Sequence, residues 1–494
     1  MSMSTRCVIT MAVWGAWHVE TFLEINLPTL MAPGNFPAFA RGVDTHFIIY
    51  TPPGDQQRMR ESPLFRELLR TVRVEFVDLT PRDIEAPIAT HNRIWDAGRS
   101  EAIETRAMAM VMPPDITWSD GSLAHLAALM QAGKTAIFLN WHLRAVAETF
   151  IPQFRALSRG ADQPIALSGR ELVRLTVANL HPLCAAYLSD SRAYPYHSEM
   201  MFWPVPRQGL LMHVFALIPF VFDPAEFELN DKKLLVAMGD PSRLHCVKDS
   251  DDLFMTSLAS IGKDSLWYRH NSPVDPVRFA MWWSYYDSPS NDLLMREPFR
   301  LHYAACDEAD WRRTELGARR TLLRLLAGRE LYRIYLAAQE LGCRHAAQLI
   351  AAAMHLGLAP LLARPLRATS VFLPEDEAFG GRWEEIADEL LRPGNTREFI
   401  AFMRAHALPS AELTEDSAAR LGLPAGFDLD QAVPTGEHRV YAVPSLLRSV
   451  GGRLPRAIEP ARRLPHPAEF ARRLKLMPMR RPAAAVPAVK KIEW

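Results

Sequence analysis

The sequence predicts an α/β protein built on a mainly parallel sheet, followed by an α-helical region and a basic, Pro-rich tail. Three observations predict it. Short apolar runs alternate with helix-spaced segments through the first half, as strands covered on both faces by helices would show, and residues 160–265 keep a mixed pattern. Beyond about Pro276 the strand signal fades, and Trp311 to Leu362 carries Leu, Ala and Arg at helical spacing. From Tyr441 to Trp494 twelve Lys or Arg stand against three Asp or Glu, and eight of the chain's 38 prolines fall there. That combination reads as an extended, disordered segment. The expected organisation is 1–268, an α/β domain; 269–365, a helical region; 366–440, a small mixed and mostly helical region; and 441–494, the tail.

The elements follow in order. Cys7 to Val13 is an apolar run that predicts a buried first strand. Arg6 before it imitates a weak export signal, but a single basic residue, with Trp14, Trp17 and His18 downstream, suits such a signal poorly. Val19, Phe22, Leu23, Leu27 and Leu30 keep helical spacing until Pro28 and Gly34. His46 to Thr51 predicts a second strand, stopped by Pro52, Pro53 and Gly54. Val72, Val74 and Phe76 alternate and predict a third. Ser100 is placed to cap a helix carrying Ala102, Ile103 and Ala107, which feeds the apolar Met108 to Met112. Pro113 to Ser122 (PPDITWSDGS) then leads into a helix with Leu123, Leu126, Ala127 and Met130 on one face. Gly133 ends that helix, and Thr135 to Leu139 predicts another strand. Leu234 to Met238 and Leu244 to Val247 are later short apolar runs. Trp311 to Leu362 predicts two or three packed helices, and Trp383 to Leu391 another.

Composition removes several functions. Fifty-six basic residues balance 56 acidic ones, so no global charge invites nucleic acid. Five scattered cysteines (Cys7, Cys184, Cys246, Cys306, Cys343) make a disulfide framework a poor reading and favour a reducing, cytoplasmic setting. The longest apolar run, Gly209 to Phe222, is broken by His213 and Pro219 and falls short of the ~20 residues of a membrane span.

Several motifs fail on inspection. Gly133-Lys134-Thr135 lacks the first glycine of a phosphate loop, because Ala128 stands there, and it lies between a helix and a strand rather than the reverse. No G-x-G-x-x-G, G-x-S-x-G or H-E-x-x-H occurs. Asp249-Ser250-Asp251-Asp252 begins like a calcium loop, yet Leu253 and Phe254 replace the needed ligand and glycine.

Carboxylates at strand ends survive this filter. Asp115 follows Met108 to Met112, and Asp249-x-Asp251 follows Leu244 to Val247. In open α/β sheets ligands settle at the carboxyl ends of strands, where carboxylates can hold Mg²⁺ or Mn²⁺ and bridge to phosphates. Structural readings stand beside these. Ser119 or Asp120 can cap the helix near Gly121, Asp115 can close a turn, and Asp249 to Asp252 can open a solvated helix.

The order of these features resembles bacterial glycosyltransferases of the GT-A type, the nucleotide-diphospho-sugar transferase fold, over about residues 5–265. The resemblance rests on the first strand, aromatic-Gly turn and helix of Val8 to Met31, the second strand, the Pro-Asp strand end, and the Ser-Asp-Gly helix ending Ala-Gly-Lys. It implies a Rossmann-like domain that takes a nucleotide-sugar donor at the carboxyl edge of its sheet. A glycan or lipid-linked hydroxyl acceptor would complete the reaction. It places Asp115 where such folds carry their D-x-D motif, although Pro113 and Thr117 occupy the flanking positions. Asp249 and Asp251 supply a literal D-x-D later in the chain.

By the same resemblance Trp14, Gly15 and Thr51 would line the nucleotide with Asp115, and Asp115, Asp249 and Asp251 would hold Mn²⁺ or Mg²⁺. His181, Asp231 and His245 are the candidate bases for an acceptor hydroxyl. An aromatic at a strand end, such as Trp14, is more often core, and a single His is more often structural than catalytic. Trp282 to Tyr286 (WWSYY) is either a sugar cleft or a hydrophobic seam. The basic tail offers a peripheral contact to an anionic membrane face or a solvated linker. The rival readings are a non-catalytic scaffold on the same sheet, or a nucleotidyltransferase. The latter lacks support because Trp14 to Trp17 (WGAW) contains no basic residue.

Overall fold

The computed structural model describes residues 5–139, 143–157, 162–195, 199–229, 240–262, 273–285, 291, 294–362, 369–408, 431–435 and 438–443. The chain divides into two compact units. The first takes Met1–Pro273 and Tyr286–Glu315, and the second takes Val274–Tyr285 and continues from Leu316.

The first unit is a mixed α/β fold on a mostly parallel, Rossmann-like central sheet. Its strands are Thr5–Ala12 (β1), Val43–Thr51 (β2), Arg73–Asp78 (β3), Met108–Val111 (β4), Ile116–Trp118 (β5), Ala136–Phe138 (β6), Arg144–Val146 (β7), Met200–Val205 (β8), Gly209–Val214 (β9), Pro219–Phe222 (β10), Leu244–Cys246 (β11), Met255–Ala259 (β12) and Phe299–His302 (β13). Seven of them form the central sheet in the order β11-β6-β10-β4-β1-β2-β3. All run parallel except β10, which is antiparallel to both β4 and β6.

The apolar first run became an interior strand because both its faces are covered. Cys7, Ile9 and Met11 share a core with Phe22, Phe47, Phe65 and Met110. Burying one such Ile or Met contributes about 1.5–3 kcal/mol, before the entropy of ordering is subtracted. From β1 the chain moves outward to β2 and β3, then returns to place β4 on the other side of β1. The switch point therefore lies between β1 and β4, and the crevice outside their carboxyl ends is where open sheets receive ligands.

Two smaller sheets stand at the same rim. β12 lies between β5, antiparallel, and β7, parallel. β9 lies between β8 and β13, antiparallel to both.

The second unit contains most of helix Glu308–Glu340, helix Arg344–His355, and the shorter helices Trp383–Leu390 and Thr396–Ala405. Ala338, Ile350, Phe399 and Val440 belong to its core. Trp282 and Trp283 are 2% and 0% exposed on helix Pro276–Tyr285, and the Arg329 guanidinium lies 4.4 Å from the Trp283 ring centre. Neither indole presents a sugar platform. Tyr286 lies outside the described residues.

Two expectations are corrected. Beside the helices of the mixed region 366–440, Thr369–Pro374 (β14), Ala407–Leu408 (β15), Val433–Thr435 (β16) and His438–Val443 (β17) form a sheet ordered β15-β14-β17-β16. The parallel partner of β14 lies more than 60 residues away, so no local pattern announces the pairing. Residues 441–443 belong to that sheet rather than to the tail. Ser100 lies inside helix Pro87–Thr105, whose start is set by Pro87 at its first position. Gly133 does end its helix, in the left-handed region at φ 81°. The predicted strand 234–238 and the tail beyond 443 lie outside the described residues.

Candidate functional site

The carboxyl end of β11 runs into a tight turn held by its own carboxylate. The Asp251 N–H donates to Asp249 Oδ1 at 2.9 Å, and the Leu253 N–H donates to the Asp249 carbonyl. The chain then enters β12 directly, so Asp249 to Asp252 does not open a helix. β13 locks against this turn. The Ser250 N–H donates to the Arg300 carbonyl at 3.0 Å, the Arg300 N–H donates to the Lys248 carbonyl at 2.7 Å, and the His302 N–H donates to Ser250 Oγ at 2.8 Å.

This pairing sets His302 beside the D-x-D. One ligand atom from each of Asp249, Asp251 and His302 lies within 4.8 Å of the others. His302 Nε2 is 3.3 Å from Asp249 Oδ2, and its Nδ1 is 2.9 Å from Cys306 Sγ. The ring itself is buried against Trp311, with centroids 4.6 Å apart. Burial pushes the Asp249 carboxyl upward, but the His302 hydrogen bond, the Asp251 N–H and the nearby Arg300 outweigh it and hold it below the usual range. Burial pushes the Cys306 thiol up, and Asp251, Asp249 and Glu308 add to that against the opposing pull of Arg170.

Helix Gly169–Ala178 closes the other side. Ser168 and Glu171 form a capping box at its start. A side chain at Gly169 would overlap the Ser250 carbonyl, so only glycine lets the helix approach the turn this closely. Arg170 grips Asp251 in a fork, Nε to Oδ1 at 3.0 Å and Nη2 to Oδ2 at 2.6 Å. Arg174, one helical turn on, donates to the Tyr303 carbonyl at 2.7 Å.

The other candidates are dispersed. Trp14 and Gly15 follow β1 at the switch point. Trp14 packs on His91 with ring centres 5.2 Å apart, and the Gly15 N–H donates to Asp55 Oδ2 at 3.0 Å. Thr51 is fully buried at the end of β2. Asp115 also lies at the switch point, and its carbonyl accepts from the Leu258 N–H at 2.8 Å. The other end of the β5–β12 ribbon is fixed by the Ser119 N–H on the Phe254 carbonyl. Four strand steps, roughly 13 Å, separate those anchors. Asp115 and the Asp249 turn thus adjoin opposite ends of the ribbon, and the ligand atoms that gather at the turn are those of Asp249, Asp251 and His302. Asp120 does not cap its helix; it accepts from the Gly34 N–H at 2.7 Å and ties that loop to the rim.

Of the candidate bases, His181 is fully buried as the cap of helix Pro182–Ala186. Its Nδ1 accepts from the Leu183 N–H, and Nε2 faces the Ser260 carbonyl. His245 sits on β11, its basicity lowered by burial and by Lys134, His125 and Lys248. Asp231 lies outside the described residues.

His302, Arg170 and Cys306 escaped the sequence reading. They reach the D-x-D from 51, 81 and 55 positions away, and only His302-x-x-x-Cys306 carries any local pattern. The second unit has its own cavity of about 380 Å³ lined by His345, Asp376, Phe379, Arg382 and Trp383. Its Asp376 already receives Arg344 and the His345 N–H, and its Arg382 is on Glu385.

Among the described residues, no helix is long and apolar enough to cross a membrane. No protein-family model and no curated protein matches the chain. Among solved structures, S. aureus TarS is similar at a TM-score of 0.20 and 10% identity, over 56% of this chain and 38% of that one. The chain thus spans well under half the length of TarS. The fold class of the first unit rests on its sheet topology.

Proposed function

We propose that the first unit is a glycosyltransferase that moves a sugar from a nucleotide-diphospho-sugar to a hydroxyl acceptor with the help of a divalent cation. The observation that carries this reading is the Asp249, Asp251 and His302 cluster at the carboxyl rim of a GT-A-like sheet. Two carboxylates and one imidazole suit Mn²⁺ better than Mg²⁺, which prefers oxygen alone. When bound, such a cation supplies a positive charge that stabilises a departing diphosphate.

The chain's own residues do the rest. Asp249 and Asp251 offer carboxyl oxygens, and the β13 pairing presents His302. Arg170 and Arg174 line the adjoining helix face with positive charge. Three strand spacings, about 14 Å, separate β4 from β11 along the rim. One elongated donor can therefore lie with its nucleoside near Trp14, Gly15 and Asp115 and its diphosphate near the Asp249 turn. The acceptor class, glycan or lipid-linked, belongs to the same proposal.

The test is a thermal-shift panel of UDP-, GDP-, dTDP- and CMP-sugars with and without Mn²⁺. At least one donor is expected to raise Tm, and to raise it further with Mn²⁺. No shift with any member would remove the reading.

A further inference from the structure

We propose that Arg170 is a built-in counter-ion of the Asp249–Asp251 turn, and that it exchanges Asp251 for phosphate oxygens once Asp251 is taken up by a divalent cation. The inference rests on the reading of that turn as a cation site and adds how the site is gated.

The geometry is that of a committed pair. The Nε–Nη2 edge of the Arg170 guanidinium meets Asp251, Nε lying 3.0 and 3.1 Å from its two oxygens and Nη2 2.6 Å from Oδ2. A fork on a carboxylate is stronger and more directional than a point contact. The same two oxygens are the ones Asp251 would offer to a cation, so the two uses compete.

The helix makes the competition local. Its capping box and the bare Cα of Gly169 fix the Arg170 backbone against the Ser250 turn. The side chain can swing, but its base stays where it is. The neighbouring cations have other partners: Arg300 is on Glu308 and Glu315, Lys248 is on Glu297, and Arg174 is on the Tyr303 carbonyl. Among the described residues, Arg170 is the guanidinium whose hydrogen bonds reach a candidate ligand oxygen.

Two consequences follow from charge. Asp249 and Asp251 would otherwise face each other as adjacent anions, and the Arg170 fork relieves that repulsion. Release of Arg170 from Asp251 leaves a planar fork without its partner beside the site, and a diphosphate, which offers it two oxygens side by side on one phosphorus, is the anion it matches next. Binding of cation and binding of diphosphate should therefore favour each other, and by linkage each by the same factor.

The experiment measures Mn²⁺ binding to the full chain by electron paramagnetic resonance, alone and with inorganic pyrophosphate, for the native protein, Arg170→Met and Arg170→Lys. Arg170→Met is expected to bind Mn²⁺ alone about two- to fivefold tighter, the range an exposed ion pair commands. Pyrophosphate should tighten Mn²⁺ binding to the native protein and do so much less in Arg170→Met. Arg170→Lys, which keeps the charge without the fork, should fall between. Equal or weaker Mn²⁺ binding by Arg170→Met, or undiminished coupling to pyrophosphate, overturns the exchange while leaving the cation site in place. Absence of Mn²⁺ binding in all three proteins overturns the cation site and the exchange together.

Discussion

His302 Nε2 lies 3.3 Å from Asp249 Oδ2 across 53 residues of chain, and the contact is enforced by backbone rather than by the side chains themselves. The reciprocal bonds of Lys248, Ser250 and Arg300 set the register, and Ser250 Oγ receives the His302 N–H. Substitution at either end should then alter ion binding without unfolding the sheet. Asp249→Asn, Asp251→Asn and His302→Ala are each expected to weaken Mn²⁺ binding about tenfold or more, with the metal-independent Tm nearly unchanged for the two Asn variants. Metal titration by calorimetry on purified variants checks this; unchanged affinity in all three would dissolve the cluster as a site.

Cys306 offers a finer version of the same measurement. Its sulfur is 2.9 Å from His302 Nδ1, the ring nitrogen that faces away from Asp249. Groups that orient a ligand imidazole typically command ten- to a hundredfold in affinity when removed. Cys306 is exposed, so a smaller effect is expected here, about three- to tenfold in Cys306→Ala. Cys306→Ser, which keeps a hydrogen-bonding atom at that position, should recover part of the loss. Equal affinity in both variants would make the sulfur a bystander.

Gly169 gives a steric prediction. A methyl group there meets the Ser250 carbonyl, a backbone atom that cannot swing aside. Gly169→Ala should lower stability by about 1–3 kcal/mol, as overpacking does, and weaken Mn²⁺ binding in step because the displaced group is the D-x-D turn. Gly54→Ala is the matched control. Nothing lies within 4 Å of its added carbon, and the position is helical, so it should stabilise by about 0.5–1 kcal/mol. Denaturant unfolding separates the two.

The central sheet was legible because its strands are locally complete signals. Cys7 to Val13, His46 to Thr51 and Met108 to Met112 are apolar on both faces, and each is bounded by Trp-Gly, Pro-Pro or Pro-Pro-Asp. The D-x-D was legible for the same reason, since both acids sit on one turn after one strand. What escaped was pairing at a distance. β14 and β17 each read as a few apolar residues among prolines until they meet, and His302 and Arg170 acquire a role only when β13 and helix Gly169–Ala178 flank the turn. Asp115 shows the converse. Its local setting at a strand end matched the expected motif, yet the β5–β12 ribbon holds it at the far end from Asp249.

The second unit carries a pH prediction that is independent of any ligand. Glu330 is buried with Arg329, and its carboxylate meets Arg333 at 3.1 Å and His438 Nε2 at 3.1 Å, which ties helix Glu308–Glu340 to β17. Burial alone would raise its pKa, but the His438 hydrogen bond and the charges of Arg333 and Arg329 prevail and lower it to about 2. A carboxylate whose folded pKa lies below its ordinary value stabilises the fold above that ordinary value, and the contribution is lost as pH falls toward the folded one. Stability contributed by Glu330 should thus be complete above about pH 5 and decline between about pH 5 and pH 2. Glu330→Gln removes the buried charge that Arg329, Arg333 and His438 share, which should cost about 3–5 kcal/mol near neutrality. The difference in Tm between native protein and variant should shrink on acidification below about pH 5. A difference that stays level down to pH 3 would show that the Glu330 charge contributes nothing to holding β17 on the helix.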